Sequence, residues 1–212
     1  MDIPLLLSLA IIHSVALASP GPDFALVVKM ASQESRATAI AGAGGISVAI
    51  LMHTLLSLTG VSLLIKSSDS LFLIVQLAGA SYLSWMGLNA VKGAVQHWKV
   101  KLSASKHTVS SNGTSPAQGF LQGLYTNLLN PKAMVFFLTL FSAMITPEVS
   151  LATKVSAAII LLLLSLCWFV FIALVLSKPV IQQRVQQLTP VINLITGMLF
   201  ISVAVVIISG LF

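Results

Sequence analysis

Two residues of opposite charge each follow a proline within apolar surroundings. Asp23 closes Ser19-Pro20-Gly21-Pro22-Asp23, and Lys132 closes Asn127-Leu128-Leu129-Asn130-Pro131-Lys132. A lone charge at the centre of a bilayer costs about 2.5–3.5 kcal/mol on insertion scales. Such groups persist where they face each other, or where they face the two ends of a dipolar ligand. In the second case Lys132 takes an α-carboxylate and Asp23 an α-ammonium, while Asn127 and Asn130 add polar contacts. The competing reading is a structural ion pair that locks two parts of the chain together.

The prolines say how these side chains must be placed. Proline removes a backbone donor and cannot continue an ordinary helix, but it is favoured at the first helical position. With Pro22 and Pro131 at that position, a half-helix starts at each. Asn130 is then a good N-cap and Gly21 a weaker one. Helix N-termini carry free N–H groups and partial positive charge, which suit a carboxylate. Asp23 is favoured by its own helix, whereas Lys132 is opposed by its own and needs a negative partner. In lipid, an interrupted backbone is tolerated only where protein or an aqueous cavity surrounds it.

Composition names that solvent. The chain has 212 residues, 57% hydrophobic and 8% charged, with a mean hydropathy of +1.02. Soluble domains carry about 25% charged residues, so this is an integral membrane protein. The formal charge of +6 lies between apolar runs rather than on a domain face, which excludes nucleic acid as a partner and points to orientation in a bilayer. The start of the chain imitates a signal peptide, with Ala16-Leu17-Ala18 as the imitation cleavage site. But Asp2 stands where Lys or Arg belongs, and apolar character resumes after the break, so residues 3–29 read as the first span.

Runs of about 20 apolar residues fall at 3–29, 37–65, 70–94, 119–146, 151–177 and 189–211. The expected fold is all-α: a polytopic membrane protein of six transmembrane helices in a single domain, residues 1–212. Interruptions in the first and fourth spans divide it into two inverted three-helix halves, roughly 1–94 and 119–212, joined by a polar cytoplasmic loop at 95–118. Interrupted spans at matching places in inverted halves mark a transporter binding site. Odd connections carry eight Lys and Arg and even ones two, which puts both termini on the outer side. The loop, with Lys99, Lys101 and Lys106, suits contact with anionic lipid. Its Asn112-Gly113-Thr114 sequon is expected on the cytoplasmic side, where it is not used.

Other candidates read more plainly. Ala37, Ala41, Gly45 and Ala49 share a helix face, and Gly119 and Gly123 repeat the theme. Small residues so spaced suit close packing within one protomer, with a homodimer contact as the alternative. His13 and His53 read as packed histidines, with proton shuttling as the sharper alternative. Cys167 is the only cysteine and reads as an inert buried thiol between Leu166 and Trp168. Trp85, Trp98, Trp168, Tyr82 and Tyr125 suit interfacial anchors. No phosphate-binding loop, metal-ligand cluster or nucleophile elbow is present, so no enzyme activity, cofactor or metal is expected, and energy must come from an ion gradient.

Three stretches carry a family likeness: SPGPDFALVV near the start, GASYLSWMGLNAVKG in the third span and GFLQGLYTNLLNPKAMVFFL after the loop. Together they resemble the lysine exporter (LysE) superfamily and, within it, the homoserine/threonine resistance (RhtB-type) branch. The likeness covers nearly the whole chain. It implies an inner-membrane amino-acid exporter of about six spans, driven by the proton gradient; one buried acid offset by one base favours small neutral substrates of the threonine and homoserine kind, with basic amino acids as the alternative. By the same likeness the functional positions are Ser19, Pro20, Gly21, Pro22 and Asp23, with Asn127, Asn130, Pro131 and Lys132. Many relatives carry Asn where this chain has Asp23, so coordination of substrate is the safer role for that side chain.

Overall fold

A computed structural model describes residues 1–99, 113–146, 148–175 and 179–210. The described residues form eight helices: α1 (Ile3–Ala18), α2 (Pro22–Gln33), α3 (Arg36–Ser67), α4 (Asp69–Lys99), α5 (Pro116–Leu128), α6 (Pro131–Met144), α7 (Leu151–Val175) and α8 (Pro179–Ser209). Helices suit a lipid solvent because they satisfy their own backbone. α1, α3 and α7 carry apolar residues on every side, as suits helices with one face on protein and the other on lipid. In α1, Leu6, Leu9, His13 and Leu17 turn inward, while Ile3, Leu7 and Ile11 remain exposed.

Among the described residues four stretches are long and apolar enough to cross a bilayer: Arg36–Gly60, Ser70–Gln96, Leu151–Val175 and Gln187–Ser209. The α1–α2 pair, bent by 57° at its break, makes a fifth if it is counted as one span. The region expected to hold the fourth span contains α5 and α6. Of these, α6 is apolar but short, and α5 carries Gln118, Gln122 and Asn127.

Several boundaries depart from the sequence reading. The polar connection is shorter than 95–118, because α4 continues to Lys99 and α5 begins at Pro116. A capping box between Ser115 and Gln118 starts α5 there, satisfying two amide donors at once. The last helix begins ahead of its span, at Pro179, while its membrane-length stretch Gln187–Ser209 agrees with the expected 189–211; Pro190 lies inside the helix. One missing hydrogen bond did not end a helix whose other turns stay paired. Cys167 is exposed on α7 rather than buried, since it lies on the side of the helix opposite the buried Ser165 and Phe169. Lys101, Lys106, Asn112, Lys178 and the expected lipid contact of the loop lie outside the described residues.

Glycine decides how the helices meet. α3 and α5 run parallel, from Thr38 beside Gly119 to His53 beside Asn127. A Cβ on Gly45 would strike the Phe120 carbonyl, one on Gly123 the Gly42 carbonyl, and one on Gly119 would lie 2.7 Å from the Thr38 carbonyl. Gly45, Gly119 and Gly123 of the expected stripe are thus used within the protomer, together with Gly42, whereas Ala37 is exposed. α4 and α8 cross antiparallel, and a Cβ on Gly87 or on Gly197 would lie 2.7 Å from the other's carbonyl oxygen. α1 and α7 run parallel, tied by Asp2 N–H to Thr153 Oγ1 at 3.1 Å and by His13 Nε2 to Ser165 Oγ at 2.9 Å. α6 lies at the centre. Its Phe136, Phe137, Leu140 and Phe141 are buried against a core that includes Leu9, Ile46, Leu83, Leu161 and Phe200.

Candidate functional site

Both interruptions are built from local capping. At the first, α1 ends at Ala18, and α2 starts with Pro22 in its first turn and Gly21 as N-cap. Gly21 offers no side-chain cap, so the first amides of α2 are left for other partners. At the second, α5 ends at Leu128, and α6 starts with Pro131 behind the N-cap Asn130. The Asn130 side chain accepts from Lys132 N–H at 3.0 Å. Asp23 and Lys132 therefore stand in the first turn of their half-helices, as their spacing from proline predicts.

Each interruption holds the charge of the other. Asp23 Oδ2 accepts from Asn127 Nδ2 at 3.0 Å and from Asn130 Nδ2 at 3.2 Å. Lys132 Nζ donates to Ser19 Oγ at 2.7 Å. The lysine stem lies over Gly21, where a Cβ would sit 3.5 Å from Nζ, and Nζ stands 5.8 Å from the centre of the Phe200 ring. Asp23 and Lys132 are within electrostatic reach of each other, but the lysine is directed at a neutral hydroxyl rather than at the carboxylate.

Between these groups lies a cavity of about 50 Å³. Ser19, Gly21, Asp23, Asn127, Asn130 and Lys132 line it. Pro20, Pro22 and Pro131 do not; they shape the backbone that brings the others in. Two buried acceptors here, Asp23 Oδ1 and Asn127 Oδ1, have no hydrogen-bond partner. An unpaired buried acceptor costs about 1–3 kcal/mol, and an ammonium donor would satisfy both. The cavity is far smaller than the roughly 300–1,000 Å³ of sites that enclose drug-sized ligands, so this conformation is nearly closed around the polar groups.

Sequence reasoning missed the wall. Phe24, Phe136, Phe137, Phe169 and Phe200 all line the cavity, with Ile50, Leu17 and Ala133. Phe136 and Phe137 stand within two turns of Lys132 and were open to notice. Phe169 and Phe200 come from α7 and α8, and no local signal marks them. Both intramembrane histidines flank this wall. His13 lines the cavity, and its ring lies 5.6 Å from that of Phe137. His53 stacks on Phe137 at 5.9 Å, with ring planes 6° apart. His53 Nε2 donates to the Asn127 carbonyl at 3.2 Å; a carbonyl only accepts, so that nitrogen carries the proton. Packed histidines were expected, and both are buried. One of them supports the residue that grips Asp23.

Comparison with known proteins gives a consistent picture. Residues 14–210 match the family described as LysE type translocator. The threonine efflux protein of Escherichia coli (strain K12) is 33% identical over 196 residues, covering 92% of this chain and 93% of that one. The threonine efflux protein of Salmonella typhimurium matches at the same identity and coverage. An uncharacterized membrane protein of Haemophilus influenzae is 27% identical over 93% of this chain and 92% of its own length. No solved structure matches.

Proposed function

Because this chain belongs to the LysE type translocator family, we propose that it exports small neutral amino acids of the threonine and homoserine kind across the bacterial inner membrane in exchange for protons. An amino-acid exporter with several membrane-crossing helices follows from the family and its relatives. The neutral substrate and the proton are our own reading.

One observation carries the choice of substrate: a base and an acid at the starts of two half-helices share one cavity without neutralising each other. A zwitterion fits that pair. Its carboxylate goes to Lys132, drawing Nζ away from Ser19. Its ammonium goes to Asp23 Oδ1 and Asn127 Oδ1, the acceptors left without partners. The side chain meets the phenylalanine wall. Among the described residues Asp23 is the only acid lining the cavity, so the second charge of lysine or arginine finds no counter-ion among them, and neutral substrates are favoured. Protons arriving at the Asp23–Asn127–His53 group compete with the ammonium for the same carboxylate, which couples release to the gradient.

Packing supports a six-span, two-half architecture in which α5 and α6 together make the fourth span. The parallel pair α3–α5 corresponds to the parallel pair α7–α1, and α4 and α8 meet reciprocally at Gly87 and Gly197. The halves, roughly 1–94 and 119–212, would be related by a two-fold axis in the membrane plane. The Lys and Arg distribution orients both termini outward.

Counterflow of labelled amino acids in proteoliposomes, with and without a pH gradient, tests the proposal. Threonine and homoserine should exchange faster than lysine or arginine, and faster with the gradient. Asp23→Asn keeps an acceptor for Asn127 and Asn130, so it should insert normally yet lose transport. Normal efflux by that variant would refute the assignment.

A further inference from the structure

The two ends of the molecule carry matching hydrogen-bonded clusters that join the first half of the chain to the second. At one end Ser35 begins α3. Its hydroxyl accepts from Thr38 N–H at 3.1 Å and lies 2.9 Å from Thr38 Oγ1. Thr38 Oγ1 then donates to the carbonyl of Thr114, just ahead of α5, at 2.8 Å. Glu34 grips the same residue, accepting from Thr114 N–H at 3.0 Å and from its hydroxyl at 2.8 Å. At the other end Ser150 begins α7. Its hydroxyl accepts from Thr153 N–H at 3.3 Å and lies 3.0 Å from Thr153 Oγ1. Thr153 Oγ1 accepts from the amide of Asp2, the N-cap of α1, at 3.1 Å.

The motif is the same at both ends: Ser-x-x-Thr opens the helix after a broken pair, and the threonine holds the start of the opposite half's broken pair. The ends are well separated. Leu151 and Lys154 share a groove with Leu55 and Thr59, and Thr59 is about 30 Å along α3 from Thr38 at 1.5 Å per residue. That is the thickness of a bilayer's hydrocarbon core. Among the described residues the bonds are unequal: three cross between halves at the Thr38 end and one at the Thr153 end. α3 and α5 touch backbone to backbone at the Thr38 end, and near the Thr153 end a groove of about 520 Å³ lies between α1, α4, α6 and α8, lined mostly by apolar side chains with Ser8, Gln76 and Ser202 among them.

We propose that Ser35/Thr38/Glu34 on Thr114 and Ser150/Thr153 on Asp2 are paired latches, whose alternate release exposes the Asp23–Lys132 cavity first to one side of the membrane and then to the other. On the orientation proposed above, on which this inference rests, the Thr38 latch is cytoplasmic and the Thr153 latch is outer. These residues touch no substrate; they are positioning residues that set which side the cavity faces. The single-bond outer latch opens more easily, so the resting protein favours an outward-facing state over an inward-facing one.

Cysteine pairs test this in a Cys167→Ser background: Thr38→Cys with Thr114→Cys, and Asp2→Cys with Thr153→Cys. Each pair is oxidised before a third cysteine, Ala133→Cys in the cavity wall, is probed with a membrane-impermeant thiol reagent from each side of oriented vesicles. Locking the Thr38 latch should leave the reporter reachable only from outside, and locking the Thr153 latch only from inside. Reduction should restore both. Thr38→Val, which keeps the helix start but loses the bond across, should raise inside labelling about fivefold, as expected for one hydrogen bond. Unchanged sidedness in both locked pairs would overturn the latches. Labelling needs no substrate, so it stands apart from the transport assay: changed sidedness without threonine counterflow would retire the substrate reading and keep the latches.

Discussion

The Nζ of Lys132 lies 2.7 Å from Ser19 Oγ, and the lysine stem rests over Gly21. The base of the second interruption is thereby held by the first, while the acid of the first is held by Asn127 and Asn130 of the second. This exchange of partners places the opposite charges in one cavity without pairing them with each other.

Ser19→Ala removes the hydroxyl on which the resting lysine depends. A hydrogen bond to a charged group contributes about 1.5–3 kcal/mol, and substrate must break this one to draw Nζ away, so without it substrate should bind about 10-fold more tightly. The KM for counterflow measures this, with membrane yield as the control. An unchanged KM would mean that Ser19 is incidental.

Asn127 and Asn130 should differ in effect although both donate to Asp23 Oδ2. Asn130 also caps α6, so Asn130→Ala should cost an additional ~1 kcal/mol of stability typical of a lost N-cap. Asn127→Ala should spare stability relative to that and weaken substrate binding. Thermal unfolding in detergent, set beside counterflow KM, separates the two.

His53 acts through Asn127, whose carbonyl it holds at 3.2 Å. His53→Leu should raise KM about fivefold, in line with one lost buried hydrogen bond, and change kcat less. His53→Gln retains a donor and should recover much of the loss. Equal defects in both variants would reduce His53 to packing against Phe137.

Gly45→Ala puts a methyl group into the Phe120 backbone, which cannot swing aside. Overpacking of this kind costs about 1–3 kcal/mol, and the upper end applies where backbone meets backbone. Gly60→Ala meets nothing within 4 Å and should leave the melting temperature unchanged or slightly higher. A tolerated Gly45→Ala would contradict the α3–α5 approach.

Cys167 is exposed on α7 between Leu166 and Trp168. It should therefore face hydrocarbon, where the reactive thiolate is disfavoured. N-ethylmaleimide, which dissolves in lipid, should label it slowly. A charged maleimide added to intact vesicles from either side should not, and rapid labelling by the charged reagent would place this turn of α7 in water.

The sequence by itself determined where the helices break and why. Pro22 and Pro131 lack an N–H and are favoured in the first turn of a helix, and Gly21 and Asn130 precede them as the N-cap residues. It determined the solvent as well, because a chain 57% hydrophobic and 8% charged has too little polar surface for water. These are local or compositional properties, readable without contacts. Helix ends at Lys99 and Pro179 were harder to read, since a long helix tolerates polar turns and one internal proline when neighbouring turns remain bonded. Only the tertiary structure decided what surrounds the charges. Phe169 and Phe200 arrive from helices far along the chain, brought there by glycine contacts such as Gly87 against Gly197. It also turned Lys132 toward Ser19 rather than toward Asp23, because a buried charge takes the partner that packing places within hydrogen-bond reach, and packing is set by the whole chain.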